Sequence, residues 1–172
     1  MNIVGSRITL RAIELEDLPL YHSWSNDPDV CRMLGDIHFP SSRWQQERWY
    51  ERTQNAQETI RLSIEHRDGE VIGYTGFWNI HWRDGRAEHA VCIGDKSYWN
   101  QGYASEAIQM CLDYGFQEMG LHRMEASILA DNEASIKAYA KCGFKLEGTL
   151  KEYALRQGKR IDRLIMGILA PQ

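Results

Sequence analysis

The sequence predicts an α+β fold: one mixed, mostly antiparallel and twisted sheet of about seven strands, flanked by about four helices. The middle of the chain alternates apolar and polar residues in three segments that Asp-Gly turns separate, which is typical of antiparallel strands. The following part repeats apolar residues every three or four positions and then alternates again, so strand, helix and strand form a parallel crossover. Because a chain of this length can bury one core, we expect residues 1–172 to form a single domain.

The first part of the chain predicts one strand and two helices. Residues 7–11 alternate apolar and polar side chains, which indicates a strand. Residues 14–26 carry apolar side chains at helical spacing, and Asp27-Pro28 marks the end of that helix. Ser41-Ser42 is a suitable N-cap for a second helix, which we expect to run to about residue 55.

The middle of the chain predicts a meander of three strands. Residues 60–65 alternate, and Asp68-Gly69 is a strong hairpin turn to a partner strand at residues 71–78. A second turn at Asp84-Gly85 leads to a third strand at residues 87–93. These strands therefore follow one another as antiparallel neighbours.

The last part of the chain changes to helical spacing. Residues 104–119 place apolar side chains on one stripe of an amphipathic helix, and Gly120 is placed to end it. Residues 123–128 alternate again and predict a strand parallel to the strand before the helix. A short helix and two further strands follow, at residues 131–143, 145–154 and 160–168.

The composition argues against several classes of protein. A net charge of −4 is not that of a general nucleic-acid binder. The four cysteines form no CxxC pair and no His/Cys cluster has zinc spacing, so we expect free thiols and no metal. No apolar run is long enough to span a membrane, and the first residues have no signal-peptide core. We therefore expect a cytoplasmic protein.

A short loop with Gly102 precedes the long helix and predicts an anion site. The N-terminus of a helix exposes unpaired N–H groups and a partial positive charge, which suit a phosphate. Glycine lets the backbone approach a ligand closely, Ala104 limits crowding, and Ser105 can add a hydroxyl. The loop is neither a Walker loop nor a GxGxxG motif, and a tight turn alone would account for the same glycine.

Two segments resemble those of a known enzyme family. Trp99-Asn100-Gln101-Gly102-Tyr103-Ala104 is similar, at its last three positions, to the coenzyme A signature Gln/Arg-x-x-Gly-x-Gly/Ala of the GNAT N-acetyltransferase superfamily. Trp99 departs from the usual Gln or Arg. The run from Asn132 to Phe144 resembles the superfamily's second cofactor segment, and residues 143–162 resemble the branch with ribosomal-protein N-terminal acetyltransferases and spermidine acetyltransferases. The resemblance covers nearly the whole chain and implies a GNAT-like fold and transfer of acetyl from acetyl-CoA to an amine.

The resemblance also implies how the chain binds acetyl-CoA. The strand before the loop splays from its parallel neighbour, and its free backbone N–H groups bind the cofactor arm and polarise the acetyl carbonyl. The residues implied for the cofactor are Val91, Cys92, Ile93, Gln101, Gly102, Tyr103, Ala104, Ser105, Asn132 and Ser135. Asn132 can also simply cap its helix. Cys92 can be buried filler or an acyl-cysteine nucleophile, although His89 is expected on the opposite strand face.

Two residues are candidates for the proton transfers. The resemblance to the histone-acetylating branch implies that Glu88 is the general base; a water relay, or a solvated glutamate without a catalytic role, is the alternative. The resemblance places Tyr139 near the sulfur of the cofactor, where its hydroxyl can protonate the departing thiolate. Tyr139 can also be a core aromatic on the inner face of a short helix.

The acceptor is an amine whose identity the sequence leaves open among a protein N-terminus, a polyamine, an amino sugar and an aminoglycoside. Aromatic residues that can form cation–π contacts, or pack in the core, are Trp24, Trp44, Trp49, Tyr50, Phe77, Trp78 and Trp82. Acids that can attract an ammonium, or form a solvated face, are Asp27, Asp29, Asp36, Glu47 and Glu51.

We expect no nucleic-acid or membrane partner, and the family resemblance allows a homodimer through exposed sheet edges. The alternatives are a catalytically silent coenzyme A-binding sensor or interaction protein, and an unrelated nucleotide-binding module.

Overall fold

The computed structural model describes residues 1–34, 39–54 and 56–171, and in this part of the chain eight strands form one sheet with five α-helices around it. The strands are β1 (Ile3–Val4), β2 (Ile8–Ala12), β3 (Ile60–His66), β4 (Val71–His81), β5 (Arg86–Ile93), β6 (Arg123–Leu129), β7 (Lys145–Arg156) and β8 (Lys159–Leu169). The helices are α1 (Leu18–Ser25), α2 (Pro28–Met33), α3 (Arg43–Gln54), α4 (Tyr103–Gln117) and α5 (Glu133–Lys141). The predicted α+β class with a mixed sheet is confirmed.

The strands lie in the order β1-β2-β3-β4-β5-β6-β8-β7, and only β5 and β6 run parallel to each other. Their pairing is short: it begins at Arg86 with Arg123 and ends at Glu88 with Glu125. Beyond that point β5 continues along β4 and β6 continues along β8, so the two strands separate. The predicted parallel crossover and its splay are therefore present.

Helix α2 is an element that the sequence pattern did not predict. Asp27 caps it, because one of its carboxylate oxygens accepts hydrogen bonds from the N–H groups of Asp29 and Val30. Pro28 occupies the first turn, where a missing N–H does not matter. Asp27-Pro28 thus ends one helix and begins the next. The predicted end of the following helix, at residue 55, lies outside the described residues.

The sheet has a large core on one face and a smaller one on the other. The first contains the buried stripe of α4 and residues of α5, including Ala107, Ile108, Cys111 and Tyr139. The second lies under α1, α2 and α3 and consists of Ile13, Tyr21, Trp24, Val30 and Cys92. Strand β5 contributes to both cores, because successive side chains point to opposite faces. It therefore lies between the two cores.

Candidate active site

A cleft of about 350 Å³ lies where β5 ends and where α4 and α5 begin. Of the residues predicted to hold the cofactor, all except Gln101 line this cleft: Val91, Cys92, Ile93, Gly102, Tyr103, Ala104, Ser105, Asn132 and Ser135. Lining residues that the sequence analysis did not single out include Val30, Met33 and Leu34 from the α2 region and Lys137 and Lys141 from α5. The i,i+4 spacing of those two lysines is the sequence signal that could have indicated a cationic patch beside the cleft.

Past Glu88, the edge of β5 that points away from β4 is not paired with another strand of the described sheet, and Val91 lies in the middle of this free edge. The His89 carbonyl accepts a hydrogen bond from Tyr139, and the Ile93 carbonyl accepts one from the Trp99 indole. Both carbonyls therefore point away from β4, and the alternation of a strand directs the N–H and C=O of Val91 the same way. The ladder to β6 ends at Glu88, so this edge opens into the gap. Val91 is the one residue of the predicted donor set that has this orientation without a partner among the described residues.

The loop before α4 is held in place by Arg7. Gly102 caps the helix with φ 84° in the left-handed region, which favours glycine. The Arg7 guanidinium donates to the Gln101 carbonyl at 2.9 Å and to the Glu106 carboxylate at 2.7 Å. Gln101 faces away from the cleft, because its side-chain amide donates to the Ser97 carbonyl. The residues from Gly102 to Ser105 thus line the cleft without the Gln101 side chain over them.

Trp99 stands where the family signature has Gln or Arg, and it has a structural contact. Its indole Nε1 donates to the Ile93 carbonyl at 2.7 Å. This bond ties the loop to the end of β5, and the ring packs against the smaller core. Trp99 therefore joins the two segments between which the cleft lies.

Asn132 joins α5 to α2. Its side-chain oxygen accepts from the Ser135 N–H at 3.1 Å, which caps α5, and its Nδ2 donates to the Met33 carbonyl at 3.0 Å. The predicted cap is therefore present. The second contact brings the end of α2 against the cleft, which explains how Val30 and Leu34 come to line it.

Tyr139 is buried, with 2% of its surface exposed, and it lies beside the gap rather than in the lining of the cleft. Its hydroxyl lies 2.8 Å from Nδ1 of His89 and donates to the carbonyl of the same residue at 3.1 Å. Nε2 of His89 lies 3.0 Å from the Thr75 hydroxyl. Burial raises the pKa of Tyr139 well above its usual value and lowers the pKa of His89 to about 3, so both side chains are uncharged at neutral pH.

Glu88 and Cys92 lie on the other face of β5. The Glu88 carboxylate accepts from the Asn79 amide at 2.9 Å and lines neither this cleft nor the cavity described below. Cys92 packs against Trp24 and Val30, and burial raises the pKa of its thiol to about 12. Its side-chain hydrogen-bond neighbour is Tyr74, and His89 belongs to the opposite face. No base therefore lies beside this thiol in the described part of the chain, and the acyl-cysteine mechanism has no structural support.

A second cavity, of about 560 Å³, lies over the opposite face of the sheet under α1 and α3. It shares Val30, Leu34, Val91 and Cys92 with the cleft, so the two spaces meet at β5. Its walls are aromatic: Tyr21, Trp24, Trp49, Tyr74 and Trp78. We call it the acceptor cavity, after the role that we propose for it below.

The predicted aromatic and acidic residues are divided between this cavity and other places. Trp24, Trp49 and Trp78 line it, whereas Trp44, Tyr50, Phe77 and Trp82 do not. Of the acids, Asp27 and Asp29 form ion pairs with Lys96, and Glu47 and Glu51 do not line the cavity. Asp36 lies outside the described residues. The predicted acidic environment for an ammonium is therefore not found in the described lining.

Two further findings concern metal binding and membrane-spanning helices. Among the described residues, no group of three His, Cys, Asp or Glu side chains is placed to hold a metal ion. No helix in the described ranges is long and apolar enough to cross a membrane.

Comparisons with known proteins find similar sequences and structures. A family model described as an acetyltransferase (GNAT) domain matches residues 7–145. The L-amino acid N-acetyltransferase AaaT of Escherichia coli is 32% identical over 169 residues, which cover 94% of this chain and 97% of the relative. The uncharacterized N-acetyltransferase p20 of Bacillus licheniformis is 33% identical over 166 residues, with 95% and 93% covered. The crystal structure of spermidine N-acetyltransferase from Vibrio cholerae in complex with CoA and spermine superposes with a TM-score of 0.89 at 27% identity, covering 96% of each chain.

Proposed function

The chain belongs to the GNAT acetyltransferase family, and from this premise we propose that it transfers an acetyl group directly from acetyl-CoA to a primary amine within one ternary complex. The observation that carries the proposal is that the cleft and the acceptor cavity meet at Val91 and Cys92. A thioester that enters from the cleft and an amine that enters from the cavity would thus meet at the free edge of β5. The whole of residues 1–172 acts as one N-acetyltransferase domain in this proposal.

The cleft would hold acetyl-CoA by its backbone more than by its side chains. The N–H groups at the start of α4 receive the pyrophosphate, because a helix N-terminus favours an anion and Gly102 leaves the approach open. Lys137 and Lys141 add positive charge at the rim of the cleft. The N–H of Val91 points toward the gap, where it can bind the arm of the cofactor and stabilise the developing oxyanion.

The chemistry requires two proton transfers. The amine nitrogen attacks the acetyl carbon, the carbon–sulfur bond breaks, and the thiolate leaves. Glu88, directly or through water, takes the proton from the amine, and the Tyr139 hydroxyl gives a proton to the thiolate. Support for Tyr139 is its position: its hydroxyl binds the carbonyl two residues before Val91 on the same strand edge. Glu88 is supported by its place on the face of β5 that carries Ala90 and Cys92.

The acceptor is a small amine in this proposal. One relative in Escherichia coli is named for L-amino acids, and a structural neighbour in Vibrio cholerae is named for spermidine. Release of the coenzyme A thiol in the presence of a panel of amines, combined with titration of acetyl-CoA, tests the proposal. Amine-dependent thiol release supports it. Binding without release for any amine would instead indicate a catalytically silent coenzyme A sensor, and no binding would reject both functions.

We propose a homodimer through the exposed sheet edge. Strand β7 is one of the two outer strands of the described sheet and carries exposed apolar side chains: Leu146, Leu150, Tyr153 and Leu155. A second copy that covered this strand would remove them from water. Sedimentation of the protein and of Leu155→Lys tests this, because the lysine should shift the mass toward that of a monomer.

A further inference from the structure

Arg61 lines the acceptor cavity without an anionic partner among the described residues. Its guanidinium carbon lies 4.9 Å from the ring centre of Trp49 and 5.2 Å from that of Trp78. Its Nε is buried and has no hydrogen-bond acceptor in the described part of the chain. Burial lowers the pKa of Arg61 below its usual value, as expected for a desolvated cation. A buried charged donor without an acceptor is unfavourable, and a bound anion would remove that cost.

A strip of the sheet surface with no side chain in its middle connects Arg61 with the free edge of β5. We call this strip, formed by Arg61, Gly76 and Ala90, the lane. Arg61 pairs in register with Gly76 of β4, and Gly76 pairs with Ala90 of β5, so the three side-chain positions share one face. Gly76 has φ 150°, and a Cβ there would lie 2.0 Å from the Ile60 carbonyl oxygen, so the middle of the lane has no side chain. The lane ends at Ala90, next to Val91, about 10 Å from the backbone of β3.

The described lining of the acceptor cavity carries positive charge. Arg52 and Arg61 line it, and no aspartate or glutamate is part of its described lining. This inference rests on the proposed acetylation of amines and narrows the acceptor. We infer that the acceptor is a primary amine that also carries a carboxylate, with the chemistry of an apolar α-amino acid, and that Arg61 binds this carboxylate.

Each part of such an acceptor has a matching surface. The carboxylate pairs with the planar guanidinium, which can donate two parallel hydrogen bonds. The apolar side chain contacts the aromatic walls, and the amine, one carbon away from the carboxylate, faces along the lane toward Ala90. By pairing with the carboxylate, Arg61 weakens the attraction between that negative charge and the ammonium, which favours the neutral, nucleophilic amine. A polyamine would instead bring further positive charge against Arg61, which is unfavourable.

Matched acceptors that differ only in the carboxylate test the inference. Thiol release is measured with L-phenylalanine against 2-phenylethylamine, with L-leucine against 3-methylbutylamine, and with spermidine. We expect kcat/KM for each amino acid to exceed that of its carboxylate-free partner by about 100-fold, since the unmatched amine leaves a buried charged donor unpaired. In Arg61→Met this ratio falls to near one, mainly through a higher KM for the amino acid, and Arg61→Lys is intermediate.

Arg48→Met is the matched control for the loss of an arginine stacked on a tryptophan. Arg48 lies over Trp44 at 5.4 Å, is exposed, and is not part of the cavity lining, so its variant should keep the ratio.

The wild-type protein supplies a test that does not depend on the folding of a variant. 3-Phenylpropionate, which has a carboxylate and no amine, should compete with L-phenylalanine and change the fluorescence of Trp49 and Trp78, and 3-phenylpropionamide should do neither.

The outcomes separate this inference from the function on which it rests. If 2-phenylethylamine or spermidine is acetylated as efficiently as the amino acids, the carboxylate inference is wrong and amine acetylation stands. An unchanged ratio in a folded Arg61→Met that binds acetyl-CoA also overturns the inference. Thiol release with none of these amines, despite acetyl-CoA binding, counts against amine acetylation and against the inference together.

Discussion

The Tyr139 hydroxyl is held between two atoms of one residue, 2.8 Å from Nδ1 of His89 and 3.1 Å from its carbonyl oxygen. This contact fixes α5 against β5 at the point where the parallel strands separate. Burial raises the pKa of Tyr139, so its phenol keeps its proton over a wider pH range than that of an exposed tyrosine. A group that must give a proton to a thiolate needs this state.

Replacing Tyr139 with Phe tests its proposed role as the acid. We expect kcat to fall about 10²–10⁴-fold, the usual range for a general acid, with little change in the affinity for acetyl-CoA. Loss of the buried hydrogen bonds to His89 should also lower the free energy of unfolding by about 1–2 kcal/mol. Steady-state kinetics and denaturant unfolding measure the two effects. Tyr114→Phe, at a partly buried tyrosine of α4, is the control, and full kcat in a stable Tyr139→Phe would exclude the role.

Glu88→Gln tests the base. We expect a loss of rate near neutral pH of about 10–100-fold that diminishes as the pH rises, because the acceptor amine then loses its proton without help. The measurement is the pH dependence of kcat/KM for the amine. Glu125→Gln is the matched control, since Glu125 is the register partner of Glu88 on β6 and is bound to Arg123. A pH profile like that of the wild type would show that Glu88 is not the base.

His89 makes the stability of the protein depend on pH in the acid range. Burial lowers its pKa from 6.5 to about 3, so between these values the unfolded chain binds a proton that the folded protein does not. The free energy of unfolding should therefore fall as the pH decreases through this window, by up to about 1.4 kcal/mol per pH unit. Urea unfolding at several pH values measures the slope.

His89→Gln should be less stable than the wild type at pH 7, yet lose less stability on acidification. His122→Gln, at an exposed histidine, serves as the control. Equal slopes for His89→Gln and the wild-type protein would mean that His89 does not cause the acid sensitivity.

Gly94→Ala tests how the acceptor cavity is supported. A Cβ at this position would lie 2.1 Å from the Trp24 indole, which must then move. We expect a loss of about 1–3 kcal/mol in the free energy of unfolding and a higher KM for the amine, because Trp24 is a wall of the acceptor cavity. Gly148→Ala is the control, since nothing lies within 4 Å of its Cβ position. An unchanged amine KM would contradict the link between Trp24 and the acceptor.

Local patterns predicted most of the fold. The turns at Asp68-Gly69 and Asp84-Gly85 and the stripe of α4 have strong signals that depend on neighbouring residues only, and the structure confirms them. Strand β1 has two residues and α2 has six, which is too short for a period to be recognised. The need for glycine at position 94 is also not visible in the pattern, because it comes from the Trp24 ring packed against it.

The site itself depends on contacts between distant parts of the chain. The hydroxyl of Tyr139 meets a residue 50 positions away, and the Asn132 amide meets Met33, which is 99 positions away. The family resemblance indicated Tyr139 and Asn132, but it did not indicate these partners. No sequence motif indicates Arg61 as a binding residue. Its proposed role depends on its contacts with Trp49 and Trp78 and on the missing side chain of Gly76.

The lane across the sheet also limits how the enzyme can change during evolution or engineering. Gly76 cannot gain a side chain without displacing the backbone of β3, whereas Ala90 is exposed and lines the acceptor cavity. A larger residue at position 90 would shorten the lane at its β5 end and would not change the position of Arg61. Selection for smaller acceptors should therefore first change position 90 on β5, and selection for acceptors without a carboxylate should first change Arg61 on β3. The size and the charge of the preferred acceptor can thus be altered independently.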